Sequence, residues 1–239
     1  MKLNKRLLAL SQMVKQPYQV VWDCCCDHGL LGFKILADGI VKRVHFVDIV
    51  PDIIAELNIK LTKFSHHLPS DIQWQTFCGD VTHLSLIDNS DLLQKQVQTL
   101  PKQLVIISGV GGELMVEMIE KLVSRYQGQN IDYLLCPVQH TYKLRRKLIA
   151  LDFKLKKEQL IIENKRGYEL LLINQTEGGL LSSTGNELWQ KESSHEQYLL
   201  NLITHYQRIT KMNEASDLLN QSALKDYCLL HKEYYANKE

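Results

Sequence analysis

Residues 20–32 read VVWDCCCDHGLLG, and this stretch decides the fold. An apolar run ends in an acid, a short polar segment follows, and glycines then open a helical pattern. This succession is typical of the first strand of an open α/β sheet and the helix that follows it. In such sheets ligands bind outside the carboxyl ends of the strands. We therefore expect the ligand loop of the protein to lie here.

The pattern repeats along the chain and then changes. Apolar strands are predicted at 43–48, 72–78, 103–107 and 133–136, and helices at 29–38, 51–64, 84–98, 112–126 and 142–151. Two further strands, 154–163 and 168–174, face each other across Asn164–Gly167, which is a hairpin signal. Five β-α units followed by an antiparallel hairpin favour an α/β fold with the seven-stranded, Rossmann-like sheet of class I methyltransferases.

The C-terminal part has a different character. Residues 175–185 are rich in Gly, Ser and Thr and are predicted to form a linker. Two long helices with apolar stripes are predicted at 187–212 and 216–235. We expect a first domain over residues 1–175 and a C-terminal helical hairpin domain over 186–239.

Composition narrows the class of protein. The chain has 239 residues, a formal net charge of +1 and no apolar run long enough to cross a membrane. The N-terminus is too polar for a signal peptide. The six cysteines include no CxxC pair, so neither a disulfide framework nor a zinc site is predicted. We expect reduced thiols in a cytoplasmic protein without a metal.

The basic residues are unevenly distributed. Residues 1–15 carry four basic side chains and no acid, and residues 141–166 carry nine basic side chains against three acids. A local basic patch attracts a polyanion even when the total charge is near zero. A solvated face with charges of mixed use explains the same pattern, and the sequence leaves both interpretations open.

Several polar residues end the predicted strands. Asp23 and Asp27 can orient the amino group of a methyl donor such as S-adenosylmethionine, and helix N–H groups from Gly29 can receive its carboxylate. Asp23 also suits a helix N-cap. Asp48 can accept both ribose hydroxyls of an adenosine cofactor, whether NAD or S-adenosylmethionine. Gly79-Asp80 is placed for an adenine amino group, or forms a plain turn.

The reacting side of the site is predicted from two further features. The glycines of Ser108–Gly112 allow backbone to approach a flat ligand closely. Methyl transfer to a ring nitrogen needs alignment and no covalent intermediate, and Asp27 could stabilise the cationic product. His28 could bind the donor or the target base, or serve only to satisfy the loop.

These motifs together resemble the bacterial tRNA (adenine-22-N1)-methyltransferase family over essentially the whole chain. The resemblance is carried by NKRLLAL (4–10), DCCCDHGLLG (23–32), ISGVGGELMVEMIE (107–120), LLCPVQHTYKLRRKL (134–148) and GYELLLI (167–173). The family has glycine where this chain has Cys25. It also has a polar Gln-Pro-Asn where this chain has Cys136-Pro137-Val138.

The resemblance implies a site and a substrate. By that match Asp23, Asp27, His28 and Gly29 belong to the loop that binds S-adenosylmethionine, Asp48 to the ribose-binding end, Gly79 and Asp80 to the adenine side, and Ser108, Gly109, Gly111 and Gly112 to the floor of the reaction cleft. Cys25 stands at a glycine position of the same loop and is also expected to contact S-adenosylmethionine. We expect Asp27 and His28 to be the catalytic residues. The resemblance implies tRNA as the partner, contacted by residues 1–15, residues 141–166 and the C-terminal domain. A non-catalytic RNA-binding or scaffold protein with the same fold, and a methyltransferase for another substrate, are the alternatives.

Overall fold

The structure, a computed structural model, describes residues 3–66, 68–86, 102–212 and 218–236. These residues form one seven-stranded sheet of order β3-β2-β1-β4-β5-β7-β6. The strands are β1 Val20–Cys24, β2 Arg43–Asp48, β3 Gln73–Cys78, β4 Gln103–Ser108, β5 Ile131–Cys136, β6 Lys154–Glu163 and β7 Arg166–Asn174. Strands β1 to β5 pair in parallel, and β7 runs antiparallel to both β5 and β6. The predicted class I methyltransferase sheet is confirmed.

Helices cover both faces of the sheet. They are α1 Lys5–Met13, α2 Leu30–Asp38, α3 Pro51–Ser65, α4 Gly112–Arg125, α5 Thr141–Ala150, α6 Ser193–Met212 and α7 Leu218–His231. Alternate residues of the central strands point to opposite faces, so Val105 packs with helices α4 and α5, and Leu104 packs with α1, α2 and α3. Strands buried on both faces explain why the sequence shows continuous apolar runs.

The strand order reverses between β1 and β4, which are parallel neighbours. At such a switch point the loops that leave the two strands turn to opposite sides and open a crevice between them. The crevice is therefore bounded by the loop after β1, residues 25–29, and the loop after β4, residues 109–111.

The hairpin turn is tighter than predicted. Glu163 pairs with Arg166, so only Asn164 and Lys165 connect β6 to β7. Both connecting residues have positive φ, 49° and 61°, as a two-residue type I′ turn requires. The predicted start of β7 at Tyr168 was therefore two residues late.

The segment predicted as a linker is packed against the first domain. Leu155 and Gly179 exchange two backbone hydrogen bonds of 2.9 and 2.7 Å. Leu181 is buried, and the Ser182 carbonyl accepts a hydrogen bond from Arg145 at 3.2 Å. The division at residues 175–186 stays a prediction, but these residues do not form a free tether.

The first of the two C-terminal helices is shorter than predicted. Helix α6 begins at Ser193 and not at Glu187, because the preceding residues are held by hydrogen bonds that are not helical. Glu158 accepts the backbone N–H of Asn186 at 2.5 Å, and Trp189 donates its ring N–H to the Thr184 carbonyl at 3.0 Å. After α7 a short π-helical turn, Lys232–Ala236, continues the chain.

One predicted helix falls at the edge of the described ranges. The helix predicted at 84–98 lies mainly outside the described residues, and its described part, 84–86, is not helical. Over the ranges that the structure describes, no helix combines the length and apolar character needed to cross a membrane.

Candidate active site

The loop between β1 and α2 has an unusual backbone. Cys25 and Asp27 have positive φ, 56° and 50°, in the left-handed region that favours glycine. Gly29 also has positive φ, 69°, and a Cβ there would lie 2.5 Å from Leu57 Cδ1. Gly29 is therefore fixed by backbone conformation and by packing against α3, while Cys25 occupies a position where a glycine would be unstrained.

Asp23, near the end of β1, is buried, and one carboxylate oxygen accepts the Gly32 N–H of α2 at 2.9 Å. Burial raises the pKa of Asp23 to about 7, with the Gly32 hydrogen bond acting in the opposite direction and the Asp48 charge adding to the rise. The N-cap alternative for Asp23 is thus partly realised, since its side chain satisfies one free N–H at the start of a helix.

Asp48 holds the end of β2 against this loop. One carboxylate oxygen accepts the Asp27 N–H at 3.1 Å, and the other accepts the Val50 N–H at 3.1 Å. The Asp48 carbonyl accepts the Gly79 N–H at 2.9 Å, which joins the end of β3 to the same assembly. The ends of the three strands are therefore connected through one residue.

A cavity of about 340 Å³ opens beside this loop. Six of the predicted site residues line it: Asp23, Cys25, Asp27, His28, Ser108 and Gly109. The other six lie outside its lining: Gly29, Asp48, Gly79, Asp80, Gly111 and Gly112. Direct ligand contact by any of the twelve stays a prediction.

Asp27 and His28 stand at the exposed side of the cavity. Their side chains are 69% and 59% exposed, and Asp27 Oδ1 lies 3.7 Å from His28 Nε2. Both side chains can therefore turn toward a ligand without losing an interior contact.

The glycines of the second loop have different functions. Gly109 has a φ of 84°, and a Cβ there would meet no atom within 4 Å, so space beside it is open. A Cβ on Gly112 would lie 2.6 Å from the His140 carbonyl oxygen, and its N–H donates to Gln139 at 2.9 Å. Gly112 thus allows the loops after β4 and β5 to pack closely.

Gly79 and Asp80 also differ. A Cβ on Gly79 would meet nothing within 4 Å. Asp80 accepts the Thr82 N–H at 2.8 Å and caps a short 3₁₀ turn, and this hydrogen bond lowers its pKa. The turn-forming alternative therefore accounts for at least one oxygen of Asp80.

Helix α1 also contributes to this cavity, which no sequence motif indicated. Arg6 and Leu7 line it, with Leu30 and Leu31 of α2. The Arg6 guanidinium lies 5.0 Å from the centre of the Tyr168 ring. The cluster of basic residues at the N-terminus was visible in the sequence, but its position over the β1 loop depends on tertiary packing.

The cysteines are free thiols, and burial raises the pKa of each of the three in the loop, to about 12 for Cys25. Thiols with raised pKa values are poor nucleophiles and poor metal ligands. Within the described residues no group of three or more His, Cys, Asp or Glu side chains is arranged to hold a metal ion.

The basic region 141–166 is largely neutralised. Arg145 is fully buried between Glu158 and Glu169, at 2.6 and 2.8 Å, so counting it as a surface charge was wrong. Three more basic side chains form ion pairs: Lys143 with Glu113, Lys147 with Glu120, and Lys156 with Asp132. Five remain: Arg146, Lys154, Lys157, Lys165 and Arg166, all exposed and without an ion pair to another described residue.

Comparison with known proteins agrees with this geometry. A family model described as "Methyltransferase domain" matches residues 3–171, and the chain belongs to this family. A search of curated proteins finds no match.

Three solved structures share the fold over nearly the whole chain. A Streptococcus agalactiae protein of the NADB-Rossmann superfamily has a TM-score of 0.70 and 18% identity, covering 98% of this chain and 97% of its own. M. capricolum TrmK, solved with S-adenosyl-homocysteine, has a TM-score of 0.70 and 16% identity, covering 98% of both chains. The B. subtilis m1A22 tRNA methyltransferase TrmK has a TM-score of 0.65 and 17% identity, covering 97% of this chain and 96% of its own.

Proposed function

We propose that this protein is an S-adenosylmethionine-dependent methyltransferase that modifies N1 of an adenine in tRNA. One observation carries the proposal: the similarity to the TrmK enzymes extends through the C-terminal helices and is not confined to the methyltransferase domain. The family match, and the crevice between the loops that follow β1 and β4, independently support the assignment as a methyltransferase.

The residues present fit the donor. Asp23 is a buried carboxylate on the cavity wall, and no Lys or Arg among the described residues forms an ion pair with it. A cationic ligand group would therefore meet an acid whose charge the protein leaves unbalanced. Open space beside Gly79 and Gly109 suits close approach by the adenosine part, and Asp48 has lone pairs left for ribose hydroxyls.

The chemistry requires little acid-base assistance. S-adenosylmethionine supplies an electrophilic methyl group, and N1 of neutral adenine already carries a free lone pair. The protein has to align the two and exclude other orientations. Asp27, exposed at the cavity, would stabilise the positive charge that adenine gains, and His28 would contact the base.

Contact with tRNA is proposed through basic side chains of residues 1–15 and 141–166. Arg6 of residues 1–15 lines the cavity itself, and Arg146, Lys157, Lys165 and Arg166 are exposed in region 141–166. The free thiols are consistent with action in the cytoplasm.

Two measurements, made one after the other, test the proposal. Calorimetry with S-adenosyl-homocysteine should show binding by the full chain. Incubation with unmodified tRNA transcripts and the methyl donor, followed by nuclease digestion and mass mapping, should place one new methyl group on an adenine. Binding without any RNA methylation would reject the tRNA part, and absence of binding would reject the whole proposal.

A further inference from the structure

A second cavity lies between the first domain and the C-terminal helices. Its volume is about 390 Å³, within the range of sites that hold small ligands. One wall is the loop and helix start Pro137–Lys143, and the other walls come from α6 and α7. We call this second cavity the interdomain cleft.

The lining of the interdomain cleft is aromatic. Tyr142 and Tyr227 form its floor and are buried, with their ring centres 5.7 Å apart. His140 and His205 stand at its rim and are exposed. Flat rings at the edge of a cavity are the side chains on which unstacked nucleobases pack in proteins that bind single-stranded RNA.

The described lining of the interdomain cleft has no unpaired carboxylate to repel an RNA strand. Among the described residues that line it, Glu113 is the only carboxylate, and it is paired with Lys143 at 2.7 Å and with His140 at 3.4 Å. Arg208 lies one turn beyond His205 on α6 and is exposed. Partial burial, then the charges of Arg208 and His140, lowers the pKa of His205, which favours the neutral ring that stacks on a nucleobase.

The interdomain cleft is directly beside the cavity of about 340 Å³ that opens at the β1 loop, which we call the donor cavity. Val110 lines the donor cavity, and its carbonyl accepts the N–H of Val138, a residue of the cleft wall, at 3.0 Å. Gly112 makes the second backbone contact between the same two loops, to Gln139 at 2.9 Å. A single pair of packed loops therefore separates the two cavities.

We propose that the interdomain cleft holds an unstacked nucleotide of the RNA substrate, next along the strand to the nucleotide that enters the donor cavity. This inference rests on the proposed function, because it takes the substrate to be an RNA. An enzyme that acts on a base inside a folded RNA must extrude it, and holding a neighbouring nucleotide would keep the strand open during the reaction.

The first test uses His205→Glu, which places a negative charge at the rim of the cleft. The KM for an unmodified tRNA transcript should rise about tenfold, since one base contact is lost and the new negative charge repels the RNA backbone. The calorimetric affinity for S-adenosyl-homocysteine should not change. The matched control is Lys225→Glu, an exposed residue on the opposite face of α7 from Asn220 and Tyr227, which should leave the KM nearly unchanged although it removes more positive charge.

The second test needs no variant. Ultraviolet cross-linking of the tRNA transcript to the full chain, followed by peptide mass mapping, should give nucleotide adducts within 137–143 or 198–209. Equal KM values for the two variants, loss of S-adenosyl-homocysteine binding in His205→Glu, or adducts only elsewhere would each overturn the inference. Cleft adducts on RNA that gains no methyl group would instead reject the proposed function and keep the cleft as an RNA site.

Discussion

Two regions of this molecule bury carboxylates, and they balance the charge in different ways. Under the C-terminal helices, Glu158 and Glu169 share Arg145, and Tyr198 donates to Glu169 at 3.0 Å. Near the end of β1, Asp23 is also buried but receives one backbone N–H and no ion pair from another described residue. The first arrangement is complete within the protein, whereas the second is suited to a cation from outside it.

The difference distinguishes a structural site from a binding site. Removing one partner of a buried ion pair destabilises the protein, because the charge of the other partner is left uncompensated. A buried acid without a cation has its pKa raised by burial, and a cationic ligand would relieve that cost. The predictions below test this distinction, starting with the largest expected effect.

Removing the shared cation should destabilise the fold most. Arg145→Ala leaves Glu158 and Glu169 buried without a counter-charge, and we expect the free energy of unfolding to fall by about 3–5 kcal/mol. Arg146→Ala removes the same side chain from an exposed neighbouring position and should change it by less than about 0.5 kcal/mol. Urea unfolding of both variants checks this, and similar losses would contradict the buried-network interpretation.

Asp23 should make stability fall as pH rises. Its folded-state pKa is raised to about 7 from an ordinary value of 3.8, so the folded state holds a proton that the unfolded state releases. Its contribution is fully present below pH 4 and is lost as pH rises toward 7, with each unit of pKa difference corresponding to about 1.4 kcal/mol.

Asp23→Asn is the matched control for this pH dependence, because Asn keeps an acceptor for the Gly32 N–H and cannot ionise. Urea unfolding between pH 4 and 8 should show a smaller decline for the variant than for the unaltered protein. Parallel curves would mean that Asp23 is not the group responsible.

Comparing alanine substitutions at Gly29 and Gly39 should separate the cost of backbone strain from the cost of a steric clash. Gly29 and Gly39 both have a φ of 69°, but only at Gly29 would a Cβ meet other atoms, Leu57 and Phe46. Left-handed backbone costs a side chain about 1–2 kcal/mol, so Gly39→Ala should lose that amount, and Gly29→Ala about 1–2 kcal/mol more. Thermal and urea unfolding measure the difference, and equal losses would remove the packing argument for Gly29.

The region around Asp23 and the buried ion pairs of Arg145 also differ in how well the sequence predicted them. Apolar runs ending in acids are local patterns, so the strands and the position of Asp23 and Asp48 were predicted correctly. Arg145 looks like any other base in region 141–166, because its burial depends on carboxylates 13 and 24 residues away. The same long-range contacts order residues 182–187, where local composition predicted a linker and then a helix.

Asp27 should affect the reaction and not the fold. Its side chain is exposed, and Asn, like Asp, adopts positive φ more readily than most other residues. Asp27→Asn should therefore keep the loop intact. We expect kcat for tRNA methylation to fall about tenfold, or ~1.4 kcal/mol of transition-state stabilisation, with the affinity for S-adenosyl-homocysteine unchanged. Asp52→Asn, an exposed acid in the first turn of α3, should leave kcat unchanged, and a similar fall in both would indicate a general charge effect.

Cys25 should show the smallest effect, and its sign is informative. At a φ of 56° a cysteine is strained by about 1–2 kcal/mol, while glycine adds about 0.5–1 kcal/mol of unfolded-state entropy. Cys25→Gly should therefore raise the free energy of unfolding by about 0.5–1 kcal/mol. Cys26→Gly, one residue on, should lower it, because Cys26 is buried in the core and does not have a positive φ. Opposite signs at adjacent cysteines would show that the loop backbone still has the conformation that a glycine favours, and a loss at both would mean that the Cys25 side chain contributes packing that outweighs its strain.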